Sequence, residues 1–330
     1  MQSQRIFVML SAMMASPKRQ GKDDLVMKKI IALMTALVLV MGLCAFANAE
    51  DADISGLTVT SPGGAPALAL ATMAVENKDN YTYIAADTIA AAFAGQEADF
   101  IIAPVNAGAK LYKAGKSTYK LAAVVSWGNL FIAAQKADLT AEDLNGAKIT
   151  LFGENTINAS VVLYALKANG IEPASVEYLA GAAETQALLL TDAEAIVVTA
   201  EPALTAAKMK NDQIGAIAVN GLFGEEGYAQ AGLFVKAGTL EAQPEAVAAF
   251  LKAAEEACGK CTTDVANVAE AAVALEILPN AKVAAAAIPG CAIRFVTAQD
   301  AKALVEKTVQ IDPAQFGGEV PADDFYYGAE

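Results

Sequence analysis

The sequence contains no histidine, and this absence limits its chemistry more than any other feature of its composition. Without histidine there is no His-based general acid or base, no Ser-His-Asp or Cys-His nucleophile and no histidine metal ligand. Enzymes without histidine exist, but the commonest catalytic groups are missing here. We therefore predict a protein with no catalytic residues, no metal site and no cofactor.

Aromatic residues are also scarce, at 7% of the chain, with a single Trp. The hydrophobic fraction is nevertheless 55%. A chain of 330 residues is long enough for two domains with separate cores. We expect those cores to consist mainly of Ala, Val, Leu and Ile.

Positive charge is scarce after the first fifty residues. Residues 1–49 contain six of the 23 Lys and Arg but only two of the 37 Asp and Glu. Residues 50–330 therefore have 17 basic and 35 acidic residues, a net charge of −18, and Arg294 is their only arginine. Nucleic acids and anionic membranes bind basic surfaces, so we predict neither as a partner.

The N-terminal segment has the pattern of an export signal. Lys28-Lys29 precedes the apolar run Ile30–Leu43, and Ala47-Asn48-Ala49 is a small-x-small cleavage site before Glu50. We predict that residues 1–49 are a leader and signal peptide. The mature protein would then be exported, either periplasmic or extracellular.

Three questions about this segment stay open. A typical signal peptide begins at Met27, which makes Met27 the expected true start. A membrane anchor is an alternative, although the apolar run is shorter than the roughly 20 residues that span a bilayer. Lipid attachment at Cys44 is another, although Leu43 is bulky where lipoprotein signals carry a small residue.

Three cysteines follow the predicted cleavage site. Cys258-Gly259-Lys260-Cys261 resembles a redox CxxC motif, but it lies near the end of a predicted helix. Redox thiols instead lie at a helix start, where their pKa is lowered. A disulfide from Cys291 to Cys258 or Cys261, a redox function and a metal site all remain open.

Strand-like and helix-like segments alternate along the rest of the chain, which predicts mostly parallel sheets with helices on both faces. The predicted strands are Leu57–Ser61, Tyr81–Ala86, Asp99–Ala103, Leu121–Val125, Leu130–Ala134, Lys148–Phe152, Val176–Leu179, Ala195–Thr199, Ala216–Val219 and Ala229–Val235. The predicted fold class is α/β, with two doubly wound lobes joined by two hinge crossings.

Polar, turn-rich segments at Ala137–Thr140 and Asn220-Gly221 predict where the chain crosses between lobes. The simplest topology places residues 50–137 and 220–330 in lobe 1 and residues 138–219 in lobe 2.

Several motifs in this order resemble type II solute-binding proteins of ABC importers. They are the strand-PGG-helix opening, Ala103–Gly108 after a strand, Ser126–Asn129, Glu201-Pro202, Ile288-Pro289-Gly290 and Phe325-Tyr326-Tyr327. The closest branch handles nitrate, sulfonates, taurine and thiamine precursors. The resemblance covers about 54–327 and implies a Venus-flytrap fold with a ligand between the lobes. It also implies an ABC permease and its ATPase as partners.

Ligands in doubly wound lobes bind beyond the carboxyl ends of strands, often at helix N-termini with free N–H groups. The predicted ligand-binding residues follow from this rule and are Ser61, Gly63, Gly64, Asp87, Asn106, Trp127, Asn129, Glu154, Thr156 and Glu201. Structural alternatives remain for several of them: a turn at the glycines, an N-cap at Asp87, a cap or a solvent-facing side chain at Asn106, a core position for Trp127, and a capping pair of Glu154 and Thr156.

These observations predict a monomeric protein that captures a small molecule without turnover. The missing arginines argue against a clamped oxyanion and favour a neutral, zwitterionic or amine-bearing ligand. Two other classes remain: an enzyme on the same fold that uses Cys291 or Glu201, and a surface sensor or adhesion module.

Overall fold

The computed structural model describes residues 52–224 and 226–328. The predicted signal peptide, its cleavage site and Cys44 lie outside the described residues. The first sheet has six strands in the order β11-β4-β10-β3-β1-β2. They are β1 (Val59–Pro62), β2 (Tyr81–Ile84), β3 (Phe100–Pro104), β4 (Tyr119–Ser126), β10 (Ala231–Lys236) and β11 (Ile293–Thr297).

The second sheet has five strands in the order β7-β6-β8-β5-β9. They are β5 (Leu130–Ala134), β6 (Lys148–Phe152), β7 (Ser175–Leu179), β8 (Ile196–Ala200) and β9 (Gly215–Ala218). The prediction placed Leu130–Ala134 in lobe 1, before a crossing at residue 137. The structure pairs this strand with β8 and β9 instead, so the chain leaves the first sheet directly after Ser126.

Strand direction follows from where each strand enters its sheet. β1 is parallel to β2 and β3, and β6 is parallel to β7 and β8, as the alternating pattern predicts. β5 and β10, which follow the two crossings, are antiparallel to their neighbours. A strand that enters at the edge where the parallel strands end must run in the opposite direction, so the sheets are mixed rather than mostly parallel.

Thirteen α-helices occur within the described residues. They are α1 (Ala65–Leu68), α2 (Ala71–Glu76), α3 (Ile89–Gly95), α4 (Val105–Lys113), α5 (Ile157–Ala168), α6 (Ala182–Thr191), α7 (Ala203–Lys208), α8 (Val219–Phe223), α9 (Ala237–Ala242), α10 (Pro244–Thr263), α11 (Val265–Ala274), α12 (Ala281–Ala287) and α13 (Ala298–Ile311). None of these helices is long and apolar enough to cross a membrane.

Local sequence explains several helix boundaries. Pro244 opens α10 at a position where a missing N–H costs nothing. The side chain of Asn280 accepts a hydrogen bond from the N–H of Val283 at 2.9 Å and caps α12. Asp87, in contrast, is not the N-cap that the sequence suggests. It lies within a 3-10 turn, and Thr88 occupies the N-cap of α3.

Apolar side chains cover both faces of the first sheet. One buried cluster extends from Ile101 and Tyr119 through Trp127 into the second sheet at Leu130 and Ile149. Another lies on the opposite face beneath α10 and α11, where the rings of Phe100 and Phe250 stack 4.0 Å apart. A smaller cluster surrounds Val197 in the second sheet.

Candidate functional site

The two sheets are joined at the edges where their parallel strands end. Ser126 ends β4, and Leu130 begins β5 opposite Ala200, the last residue of β8. On the return, Ala231 begins β10 opposite both Ser126 and Pro104, the last residue of β3. The carboxyl ends of the parallel strands in both sheets therefore border the same junction, which is where α/β folds bind ligands.

We call residues 127–129 the first crossing and residues 219–230 the second crossing. Trp127 in the first crossing is 2% exposed and belongs to the large apolar cluster. Its indole N–H donates to the carbonyl of Arg294 at 2.9 Å, and the Arg294 guanidinium lies 4.7 Å from the centroid of the indole ring. The indole N–H therefore has its hydrogen-bond partner within the protein, and the Arg294 side chain covers one face of the ring.

A chain of polar side chains connects the two crossings. The Ser126 hydroxyl donates to Gln230 Oε1 at 3.1 Å, and Gln230 Nε2 donates to Asn129 Oδ1 at 2.9 Å. Asn129 Nδ2 then donates to the carbonyl oxygen of Glu201 at 2.9 Å. Because buried polar groups are costly unless paired, this network fixes the relative position of the strands that meet here.

Asn220 provides a second link between the crossings. Its Nδ2 donates to the carbonyls of Trp127 and Gly128, each at 2.9 Å. Gly128 has φ of 101°, and a Cβ there would overlap the Asn220 side chain and the Tyr228 ring. Glycine is therefore required at this position for both its backbone angle and its close contact.

Glu201 follows β8 and is 7% exposed. Its carboxylate accepts hydrogen bonds from the backbone N–H of Thr205 at 3.1 Å and from the Thr205 hydroxyl at 2.9 Å. Burial raises the pKa of this carboxyl above its ordinary value, although the Thr205 hydrogen bonds and Lys208 act in the opposite direction. The predicted ligand contact thus also caps the first turn of α7.

The rim of the first sheet carries the other predicted residues of lobe 1. Ser61 is buried and its hydroxyl donates to the carbonyl of Pro62. A Cβ placed on Gly63 or Gly64 would meet no atom within 4 Å, so the space above this turn is open. Asp87 is exposed, and the half-buried Asn106 at the start of α4 has a buried Oδ1 with no hydrogen-bond partner among the described residues.

The rim of the second sheet is formed by the loop after β6. Glu154 and Thr156 are both exposed. The Thr156 hydroxyl donates to the carbonyl of Gly153 at 2.6 Å, and Thr156 occupies the N-cap of α5 without a side-chain capping bond. Glu154 and Thr156 therefore do not form the capping pair that was one alternative for them.

The structure brings three predicted site residues together, Trp127, Asn129 and Glu201, and distributes the others along the two rims. Sequence reasoning missed Ser126, Gln230 and Asn220 as side chains that organise the junction. Asn220-Gly221 was recognisable as a turn, but nothing adjacent in sequence marks Gln230 as a partner of Asn129, 101 residues away.

The three described cysteines are buried free thiols. Burial raises the pKa of Cys261 to about 12 and that of Cys291 well above its ordinary range, so neither is an activated nucleophile. Within the described residues, no group of three or more Cys, Asp or Glu side chains is arranged to hold a metal ion.

Solved structures identify the class of fold. An ABC transporter protein from Parabacteroides distasonis has a TM-score of 0.72 at 22% identity, covering 83% of this chain and 99% of that chain. The periplasmic aliphatic sulphonate binding protein SsuA from Escherichia coli has a TM-score of 0.65 at 15% identity, covering 82% and 91%. The alkanesulfonate-binding protein SsuA from Xanthomonas axonopodis, bound to MOPS, has a TM-score of 0.57 at 15% identity, covering 83% and 96%. The chain thus has the two-lobed α/β fold of periplasmic binding proteins, as predicted.

A match to a sequence profile shows the family of this chain. The profile of the family described as NMT1/THI5 like matches residues 87–264, more than half of the chain, and the chain belongs to this family. The matched region includes the first crossing, the whole second sheet and the second crossing. No curated protein sequence matches the chain.

Proposed function

We propose that this protein is the extracytoplasmic solute-binding component of an ABC importer. The observation that carries the proposal is the junction at which the strand ends of both sheets meet across two chain crossings. Such an arrangement lets two lobes close around a small molecule by hinge motion. The NMT1/THI5-like family and the ABC-transporter and sulphonate-binding structural neighbours support the same function.

Ligand capture without turnover fits the chemistry of the junction. Cys291 and Glu201 are the candidate reactive groups of the alternative enzyme, and both are buried and engaged inside the protein. The open space above Gly63 and Gly64 and the exposed side chains of the rims are instead suited to contacting a solute. An ABC permease with its ATPase would receive the solute from a monomeric, exported receptor.

We further propose a neutral, zwitterionic or amine-bearing ligand. Asp87 and Glu154 place negative charge on both rims, whereas the strand-end loops at 61–65, 84–88, 104–106, 126–129, 153–156 and 199–201 contain no Lys or Arg. Arg294, the remaining arginine of residues 50–330, is exposed and stacked on Trp127. The sulphonate ligands of the structural neighbours are thus not expected here.

A thermal-shift screen tests this function. A ligand that binds only the folded state at a hundredfold excess over its Kd adds about 2.7 kcal/mol of stability. The library should contain amines, amino acids and nitrogen heterocycles, with taurine, sulfate and nitrate as oxyanion probes. Tight binding of an oxyanion probe would contradict the ligand class, whereas chemical turnover of a bound compound would contradict the binding function itself.

N-terminal analysis of secreted protein tests the proposed export. We expect the mature chain to begin at Glu50. A chain that begins at Met27 or carries a lipid on Cys44 would contradict this cleavage.

A further inference from the structure

Glu201 is the one charged residue that is buried within residues 52–224 and 226–328. Its hydrogen-bond donors, the N–H and hydroxyl of Thr205, come from its own side of the junction. A buried carboxylate costs several kcal/mol unless its charge is compensated. Thr205 provides a donor to each carboxylate oxygen, but both donors are neutral, so this contact does not by itself compensate a negative charge on the buried group.

Gly290 of the first lobe covers the other side of this carboxyl group. A Cβ on Gly290 would lie 2.9 Å from Glu201 Cγ and 3.1 Å from Glu201 Oε1. The backbone of residue 290 therefore approaches Glu201 as closely as a missing side chain permits. Gly290 belongs to the 3-10 turn Ile288–Cys291, and the preceding helix α12 packs against α7 of the second lobe.

Two other groups bear on the charge of Glu201. Lys208 lies one helical turn beyond Thr205 in α7 and favours the ionised carboxylate. On the opposite side Cys291 is deeply buried, and its thiol pKa is raised first by burial and then by the negative charge of Glu201. The first lobe thus presents a glycine backbone and a neutral thiol, and neither compensates an ionised carboxylate.

We propose that the contact between Glu201 and Gly290 is a proton-sensitive contact between the lobes. It stabilises the closed arrangement when the Glu201 carboxyl is neutral and weakens when that carboxyl ionises. This inference goes beyond ligand capture, because it concerns the lobe equilibrium of the ligand-free protein. Glu201 and Gly290 act here as positioning residues for closure.

The direction of the pH effect follows from linkage. Burial raises the pKa of Glu201 above its ordinary value of 4.5. A group whose pKa is raised in the closed state contributes its full stabilisation of that state below the ordinary value. The stabilisation is then lost as pH rises through the raised value. Each unit of difference shifts the ratio of open to closed molecules by up to about tenfold.

Small-angle scattering of the ligand-free mature protein at pH 4, below the ordinary pKa of the carboxyl, and at pH 7.5 measures this shift. The wild type should have a larger radius of gyration at pH 7.5. Glu201→Gln, which cannot ionise, should have the same radius at both pH values. Its control is Glu172→Gln, which changes an exposed acid and should keep the wild-type response.

Gly290→Ala tests the same contact between the lobes by adding a methyl group to it. The added methyl group should separate the lobes and increase the radius at both pH values. Gly238→Ala is the matched control, because a Cβ there meets no atom within 4 Å. If Gly290→Ala fails to fold, the Glu201→Gln comparison still decides. An unchanged wild-type radius, or a Glu201→Gln variant that still responds to pH, would overturn the proposal and leave the binding function unaffected.

Discussion

At the first crossing Trp127 and Asn129 are 2% and 7% exposed and their polar atoms are paired within the protein, whereas Gly63, Asp87 and Glu154 on the rims are exposed. Both regions lie at the same strand ends, where sequence reasoning expects ligand contacts. Strand-end position alone does not distinguish a residue that holds the lobes together from one that meets a solute. Burial and hydrogen-bond pairing differ between the two regions, because the side chains of the first crossing are enclosed and paired within the protein and those of the rims are exposed. We propose on this basis that the crossing holds the lobes together and that the rims contact the solute.

Trp127→Ala should produce the largest effect among the variants that test this comparison. Removing a fully buried aromatic side chain costs about 3–5 kcal/mol, and this variant also loses the indole bond to the Arg294 carbonyl. Urea unfolding followed by circular dichroism measures the free energy of unfolding, since no indole fluorescence remains. Tyr164→Ala is the control, because Tyr164 is 49% exposed and should lose far less stability.

A Trp127→Ala variant that keeps its stability but no longer binds a verified ligand would reverse the assignment. Trp127 would then be a recognition residue. In the wild type, where Trp127 is the single source of indole emission, ligand binding would then shift or quench that emission.

The sequence predicts those features of the junction that depend on neighbouring residues, and it does not predict those that depend on residues far apart in the chain. The bounds of Leu130–Ala134 and Lys148–Phe152 are predicted correctly, because strand patterning is local. The sheet to which Leu130–Ala134 belongs is predicted incorrectly, because pairing with β8 and β9 is not encoded in its periodicity. The strand Ile293–Thr297 was not predicted at all, since Arg294 and Thr297 interrupt its apolar pattern with exposed positions.

The candidate site shows the same division. Strand-end glycines and acids are visible in the sequence, and so is the isolated tryptophan. The roles of Trp127 and Glu201 depend on Arg294 and Gly290, which are 167 and 89 positions away. Arg294 lies in β11 and Gly290 in the turn before it, and no local sequence pattern connects either of them to its partner. Long-range packing therefore decides which of the visible candidates remain available to a ligand.

Asn129→Ala tests the polar network between the crossings. It removes the donor to the carbonyl of the buried Glu201 and the acceptor for Nε2 of the half-buried Gln230. A buried polar group left without its partner costs about 1–3 kcal/mol. The expected loss should appear as a lower urea midpoint with an unchanged m-value. Asn267→Ala, on an exposed position of α11, is the control and should leave the midpoint nearly unchanged.

Substitution of an exposed rim residue should have the smallest effect on stability. Glu154→Ala removes an exposed side chain from the loop after β6, so the free energy of unfolding should change by no more than about 0.5 kcal/mol. Because Glu154 contributes negative charge to the rim, the same variant should reduce the thermal shift produced by an amine-bearing ligand found in the screen. Glu172→Ala makes the same charge change at an exposed position before β7, away from the carboxyl ends of the strands, and should bind like the wild type. Equal ligand shifts in Glu154→Ala, Glu172→Ala and the wild type would show that this rim does not contact the ligand, and would move the search to Asp87 and Asn106 on the opposite rim.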